Sequence, residues 1–165
     1  MSDTEDYFGI TLATEFATTS TTGPSWNAYC AAQNILNSKA LFSTMHIRDL
    51  LSPGASGVKS SVERHHLWPK AYLPSVGFSN DRDRNQIANY AYIEWKNNIE
   101  ISDTAPSEYW PKITEGISDA TLQEMCDTNA IPEGWTDMTY PQFLEQRRKL
   151  MAGIVRRGYE KLTEN

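Results

Sequence analysis

Apolar positions keep helical spacing most clearly toward the C-terminal end of the chain. Phe143, Leu144, Leu150, Met151, Ile154, Val155, Tyr159 and Leu162 trace an apolar helix face. Thr139 and Gln142 stand just ahead of them with capping-box spacing, so a supporting helix is predicted over about 139–163. Trp26, Cys30, Ile35, Leu36 and Leu41 follow a looser helical rhythm, which predicts a helix over roughly 26–42 with Ser25 as its N-cap. The first two dozen residues, ending in TTSTTGPS, read as an irregular lead-in. HIRDLL is a shorter helical piece closing into the loop SPGASG, and Ser118 caps a helix running to Asp127.

Between these helices the rhythm changes. Val58–His66 reads as a first strand and Leu67–Gly77 as a loop with one helical turn. Ser79–Arg84, with four charges of alternating sign, reads as a solvated connection. Ile87–Trp95 is apolar and aromatic enough for a second strand, with Tyr90, Tyr92 and Glu94 sharing one face. A helix is expected over Lys96–Asp103. The pattern predicts an α+β fold, a mostly helical single domain over residues 1–165, around a hairpin-plus-helix unit at about 58–103.

Composition agrees with a folded core: 39% of residues are hydrophobic, with five Trp and eight Tyr. No apolar run approaches a membrane span, and MSDTEDYFGITLAT lacks the basic-then-apolar pattern of a secretion signal. Cys30 and Cys126 belong to no paired-Cys motif, which excludes a zinc knuckle and fits a reducing cytoplasm. The formal charge is −6, unevenly spread. Lys59–Lys96 has six basic residues against four acidic, and Met138 to the end has six against three, whereas Asn97–Asp137 has one against nine. A mildly basic stretch inside an acidic molecule suits weak rather than tight binding of phosphates.

That basic stretch holds the candidate chemistry. ERHHLWP (Glu63–Pro69) contains two of the three histidines, and RNQIANYAYIEWKNN (Arg84–Asn98) follows it. Imidazole accepts protons near neutrality and binds divalent metals, and Asn offers a neutral oxygen, so the set suits metal-assisted hydrolysis. Adjacent strand residues point to opposite faces, so His65 and His66 converge only if the strand ends or twists there, and Pro69 favours an ending. Asn85 rivals Asn89, and Asn97 rivals Asn98, as the functional asparagines. Arg84 and Lys96, which flank the second strand, are the best-placed contacts for nucleic-acid phosphates. His46 reads as structural or surface. Arg147-Arg148-Lys149 and Arg156-Arg157 read as solvated helix faces.

These residues resemble the HNH, or His-Me finger, nucleases, whose metal finger is a β-hairpin followed by a helix. DYFGITLAT, ALFSTMHIRDLL, ERHHLWPKAYL, NQIANYAYIEW and NNIEISDTAPSEYWP extend the resemblance to the C-terminal part of GmrSD-type restriction proteins. The resemblance implies a ββα-metal finger in which His66 is the general base and His65 and Asn98 are metal ligands. Asn89 fills the middle position that fixes the loop aiming His66. Glu63, on the face of His65, would orient that imidazole, or would be an ordinary surface carboxylate. Mg²⁺ or Mn²⁺ is the expected ion; His65 stands where the family commonly has Asp, which weakens the usual magnesium preference and leaves Zn²⁺ open as well. The implied activity is endonucleolytic hydrolysis of DNA in restriction or phage defence. No P-loop is present, so a nucleotide-hydrolysing, DNA-sensing domain or subunit is expected upstream. The alternative is a non-catalytic protein-interaction domain that keeps the nuclease fold.

Overall fold

A computed structural model describes residues 6–51, 62–94 and 101–164. A π-helical turn over Tyr7–Thr11 runs into helix α1 (Leu12–Glu15), where the sequence suggested an irregular lead-in. Phe8, Leu12 and Phe16 stand four apart and are all buried, and that burial outweighs the weak helix preference of the intervening Gly and Thr residues. Helix α2 (Pro24–Ile35) starts with Gly23 as N-cap, not Ser25. Ser25 instead donates its hydroxyl to the Glu15 carbonyl at 3.1 Å. The helix also stops well before residue 42. Asn37 adopts a left-handed φ of 59°, which Asn tolerates better than most residues, and Leu41 then forms a bridge to Ile93.

After α3 (Ile47–Leu51), strands β1 (Val62–His66) and β2 (Tyr90–Glu94) form a two-stranded antiparallel sheet. Val62 lies opposite Glu94 and His66 opposite Tyr90. Residues 58–61 of the expected first strand lie outside the described residues. Ile87–Asn89, read as the start of the second strand, form a 3₁₀ turn in which all three residues are buried. A short apolar run does not by periodicity alone tell strand from buried turn. The stretch expected to be a solvated connection contains a short helix, α4 (Asp81–Arg84), because the Asn80 side chain accepts the Asp83 N–H at 2.8 Å and caps it.

Lys96 and Asn98 lie outside the described residues, as does most of the helix expected over Lys96–Asp103. At its far end Ser102 and Asp103 form a turn instead. Helix α5 (Pro106–Thr114) was not foreseen, since Pro111 falls inside it. Helix α6 (Asp119–Thr128) is capped by Ser118, as expected. Helix α7 (Tyr140–Thr163) begins with the capping box read from Thr139 and Gln142. The architecture is α+β, with helices packed about one small sheet. Among the described residues no helix is long and apolar enough to cross a membrane.

Helix α7 ties the molecule together. Gly158 lets it approach α2: a Cβ there would lie 2.9 Å from the Ala32 Cβ. Two turns or more earlier, Arg147 overturns the reading of its basic run as a solvated face, since it is fully buried. Its Nε donates to the Ala130 carbonyl at 3.0 Å and its Nη2 to that of Asn129 at 3.1 Å. Its Nη1 donates to the carbonyls of both Ala88 and Tyr90, at 2.7 Å each. The planar fork of donors is what makes a buried guanidinium tolerable here without a carboxylate partner. Phe143, Arg147 and Met151 stand four apart, so helical periodicity did place Arg147 on the inward face.

Candidate active site

β1 keeps its pairing to its last residue, so His65 and His66 leave it toward different surroundings. His65 Nε2 lies 3.5 Å from the Glu63 carboxylate, two residues back on the same face. The His66 ring packs edge-on against Tyr90, with centroids 4.8 Å apart, and its Nε2 lies 2.9 Å from Asn85 Oδ1. The Arg64 guanidinium sits 4.9 Å from the centroid of the same Tyr90 ring.

The chain just beyond His66 is held unusually firmly. The Leu67 N–H donates to the Asn89 carbonyl at 2.8 Å, and the Leu67 carbonyl accepts from the Tyr109 hydroxyl. The Trp68 N–H donates to Asn89 Oδ1 at 2.8 Å, and the Trp68 carbonyl accepts from Asn89 Nδ2 at 3.0 Å. All four backbone polar groups of these two residues are thereby satisfied. The same Nδ2 reaches the Arg84 carbonyl at 3.2 Å, next to Asn85. Asn89 is completely buried, and Arg147 grips the carbonyls on either side of it. The two rival asparagines therefore have separate jobs: Asn85 meets the imidazole, and Asn89 braces the loop. Replacing Asn89 with Ala leaves the Trp68 N–H and carbonyl without their side-chain partner, while the Arg84 carbonyl keeps the Tyr140 hydroxyl at 3.4 Å. The expected cost is about 2 kcal/mol of stability, read from thermal melting, since a buried unsatisfied group costs ~1–3 kcal/mol. A melting curve like that of the parent would argue against the brace.

Burial lowers the pKa of both histidines. For His65 the Glu63 carboxylate opposes that shift and His66 adds to it. For His66 the bond to Asn85 opposes it, while the charges of Lys70, Arg64 and Arg84 reinforce it. Both shifts favour the neutral imidazole, the form that accepts a proton or binds a cation. Arg84 Nη2 and Lys70 Nζ share one Asp81 oxygen, at 2.8 and 3.2 Å. That pair of contacts, Lys70 first, holds the Asp81 carboxyl below its ordinary pKa. Arg84, expected to meet phosphate, thus already has an anionic partner. Its counterpart Lys96 lies outside the described residues.

Compared with known proteins, this chain matches no family model, no curated protein and no solved structure. Of the residues that brace the site, sequence reading passed over Tyr109 and placed Arg147 on a solvated face. Tyr109 bonds across 42 positions, and no local pattern marks it.

Proposed function

We propose that this chain is a metal-dependent DNA endonuclease of the HNH type, acting in restriction or phage defence beside an upstream nucleotide-hydrolysing DNA sensor. The observation that supports this most is the setting of His66: a neutral imidazole at a braced strand end, oriented through one nitrogen, with Arg64, Lys70 and Arg84 near enough to influence its charge. Three cations near an imidazole, two of them sharing the Asp81 carboxylate, leave net positive charge that suits a phosphodiester substrate.

With Nε2–H donated to Asn85 Oδ1, Nδ1 carries the lone pair. His66 Nδ1 takes a proton from water as the water oxygen bonds to phosphorus, and the bond to the 3′ oxygen breaks. Arg64 supplies positive charge where the phosphoryl oxygens gain negative charge. Among the described residues no group of three or more His, Cys, Asp or Glu could hold a metal. The proposed donors are the His65 imidazole, with the Glu63 carboxylate 3.5 Å behind it, and Asn98 from outside the described residues. Two such donors fit an ion that keeps several waters, as Mg²⁺ does, and imidazole also admits Mn²⁺ or Zn²⁺. Because His65 and His66 leave the strand toward different surroundings, a bound ion would offset charge only on a phosphate that spans the strand end between them.

Incubating the purified chain with supercoiled plasmid in Mg²⁺, Mn²⁺, Zn²⁺ or a chelator tests the reading. Metal-dependent nicking supports it. No nicking in any metal would instead favour a protein-interaction domain that keeps the nuclease fold. His65→Ala and Asn98→Ala are each expected to weaken Mn²⁺ binding in calorimetric titration, with activity partly restored by excess Mn²⁺. Unchanged affinity in both variants rules out this ligand set. Glu63→Gln should cost about 10–100-fold in metal affinity or activity if its carboxylate orients His65.

A further inference from the structure

A cavity of about 630 Å³ opens between the segment 78–86 and the first turns of α7. Its apolar wall includes Phe78, Tyr140 and Leu144, and two guanidiniums, those of Arg82 and Arg148, also line it. Arg148 Nη2 donates to Gln86 Oε1 at 2.9 Å, while Gln86 Nε2 donates to the Arg82 carbonyl at 2.8 Å. Gln86 thereby fixes the Arg148 fork in place. Arg148 Nε is enclosed and has no hydrogen-bond partner among the described residues. The one acidic side chain of the lining, Asp83, already accepts from Asn80 Nδ2 at 2.8 Å.

Guanidinium matches a phosphate in charge and in the spacing of its donors, and a preset fork gives up little freedom on binding. The apolar wall suits a sugar. The cavity also has a defined relation to the candidate active site: the residue before Gln86 is Asn85, which meets His66. One short segment therefore faces the imidazole at one position and the two-arginine cavity at others.

We propose that Arg82 and Arg148 form a second phosphate position, which takes a backbone phosphate of the DNA flanking the one at His66. This rests on the nuclease reading for the identity of the ligand, but its chemistry is independent of cleavage. The test is fluorescence anisotropy of a short labelled duplex with the full chain, as wild type, Arg82→Gln and Arg148→Gln, across a salt series. Each variant is expected to weaken binding alike on unrelated sequences and to flatten the log–log salt slope by about 0.9, the value for one phosphate contact. Arg82 is exposed and its guanidinium makes no bond in the described fold, so its variant decides the matter even if Arg148→Gln lowers stability. Unchanged affinity and slope in Arg82→Gln overturn the proposal, as does a wild type that binds no duplex. A wild type that nicks plasmid while both variants bind normally overturns this position alone. A wild type that binds through both arginines yet never nicks supports the position and counts against the nuclease reading.

Discussion

Replacing Arg147 with Met is expected to destabilise this protein more than any surface substitution on α7. Four carbonyls, those of Ala88, Tyr90, Asn129 and Ala130, accept from this one guanidinium. Met fills much of the volume but offers no donor, so those carbonyls lose their partner in a place where Arg147 itself is fully buried. At ~1–3 kcal/mol for each unsatisfied group, partly relieved by entering water, a loss of about 4 kcal/mol or more is expected. For a chain of this length that corresponds to a fall of roughly 10 °C in Tm. Arg147→Lys should fall between the two, because ammonium keeps the charge but not the fork. The loss should also reach the candidate active site, since Ala88 and Tyr90 flank the Asn89 that braces Trp68. A circular-dichroism melt of Arg147→Met within about 2 °C of the parent would show that the clamp contributes little.

What the sequence made legible was local. The Thr139 and Gln142 capping box, the Ser118 cap and the half-buried face of Tyr90, Tyr92 and Glu94 depend on neighbours within a few residues, and each appears in the fold. The misread elements are set by distant packing. The Tyr7–Glu15 helical stretch gains its order from burying Phe8, Leu12 and Phe16, which no local preference announces. The basic run at Arg147 looks solvated in composition, although its four-residue spacing from Phe143 and Met151 carried the opposite signal. In the candidate site, the imidazoles and asparagines stood out by chemistry, but their division of labour did not. Which asparagine meets His66 depends on how α4 and the turn after it bring Asn85 back across 19 positions, a matter of tertiary geometry.

His66→Ala is the substitution expected to affect activity most. It removes the nitrogen proposed to take the proton from water, and general-base catalysis is worth roughly 10²–10⁴-fold. Its structural cost should be small. The side chain is half-buried, the one side-chain bond it makes among the described residues is to Asn85, and Leu67 and Trp68 remain held by Asn89 and Tyr109. Loss of a single such bond costs about 1 kcal/mol. Activity and folding are thus separable at this position, unlike at Arg147. The rate of Mn²⁺-dependent plasmid nicking by wild type and His66→Ala, with melting curves of both, is therefore the most direct measurement. The expected result is nicking by the wild type and at least a hundredfold slower nicking by a variant that melts within a few degrees of it, the lower bound for losing a general base. Equal nicking rates, with matching melting curves, would contradict the assignment of His66 as the base.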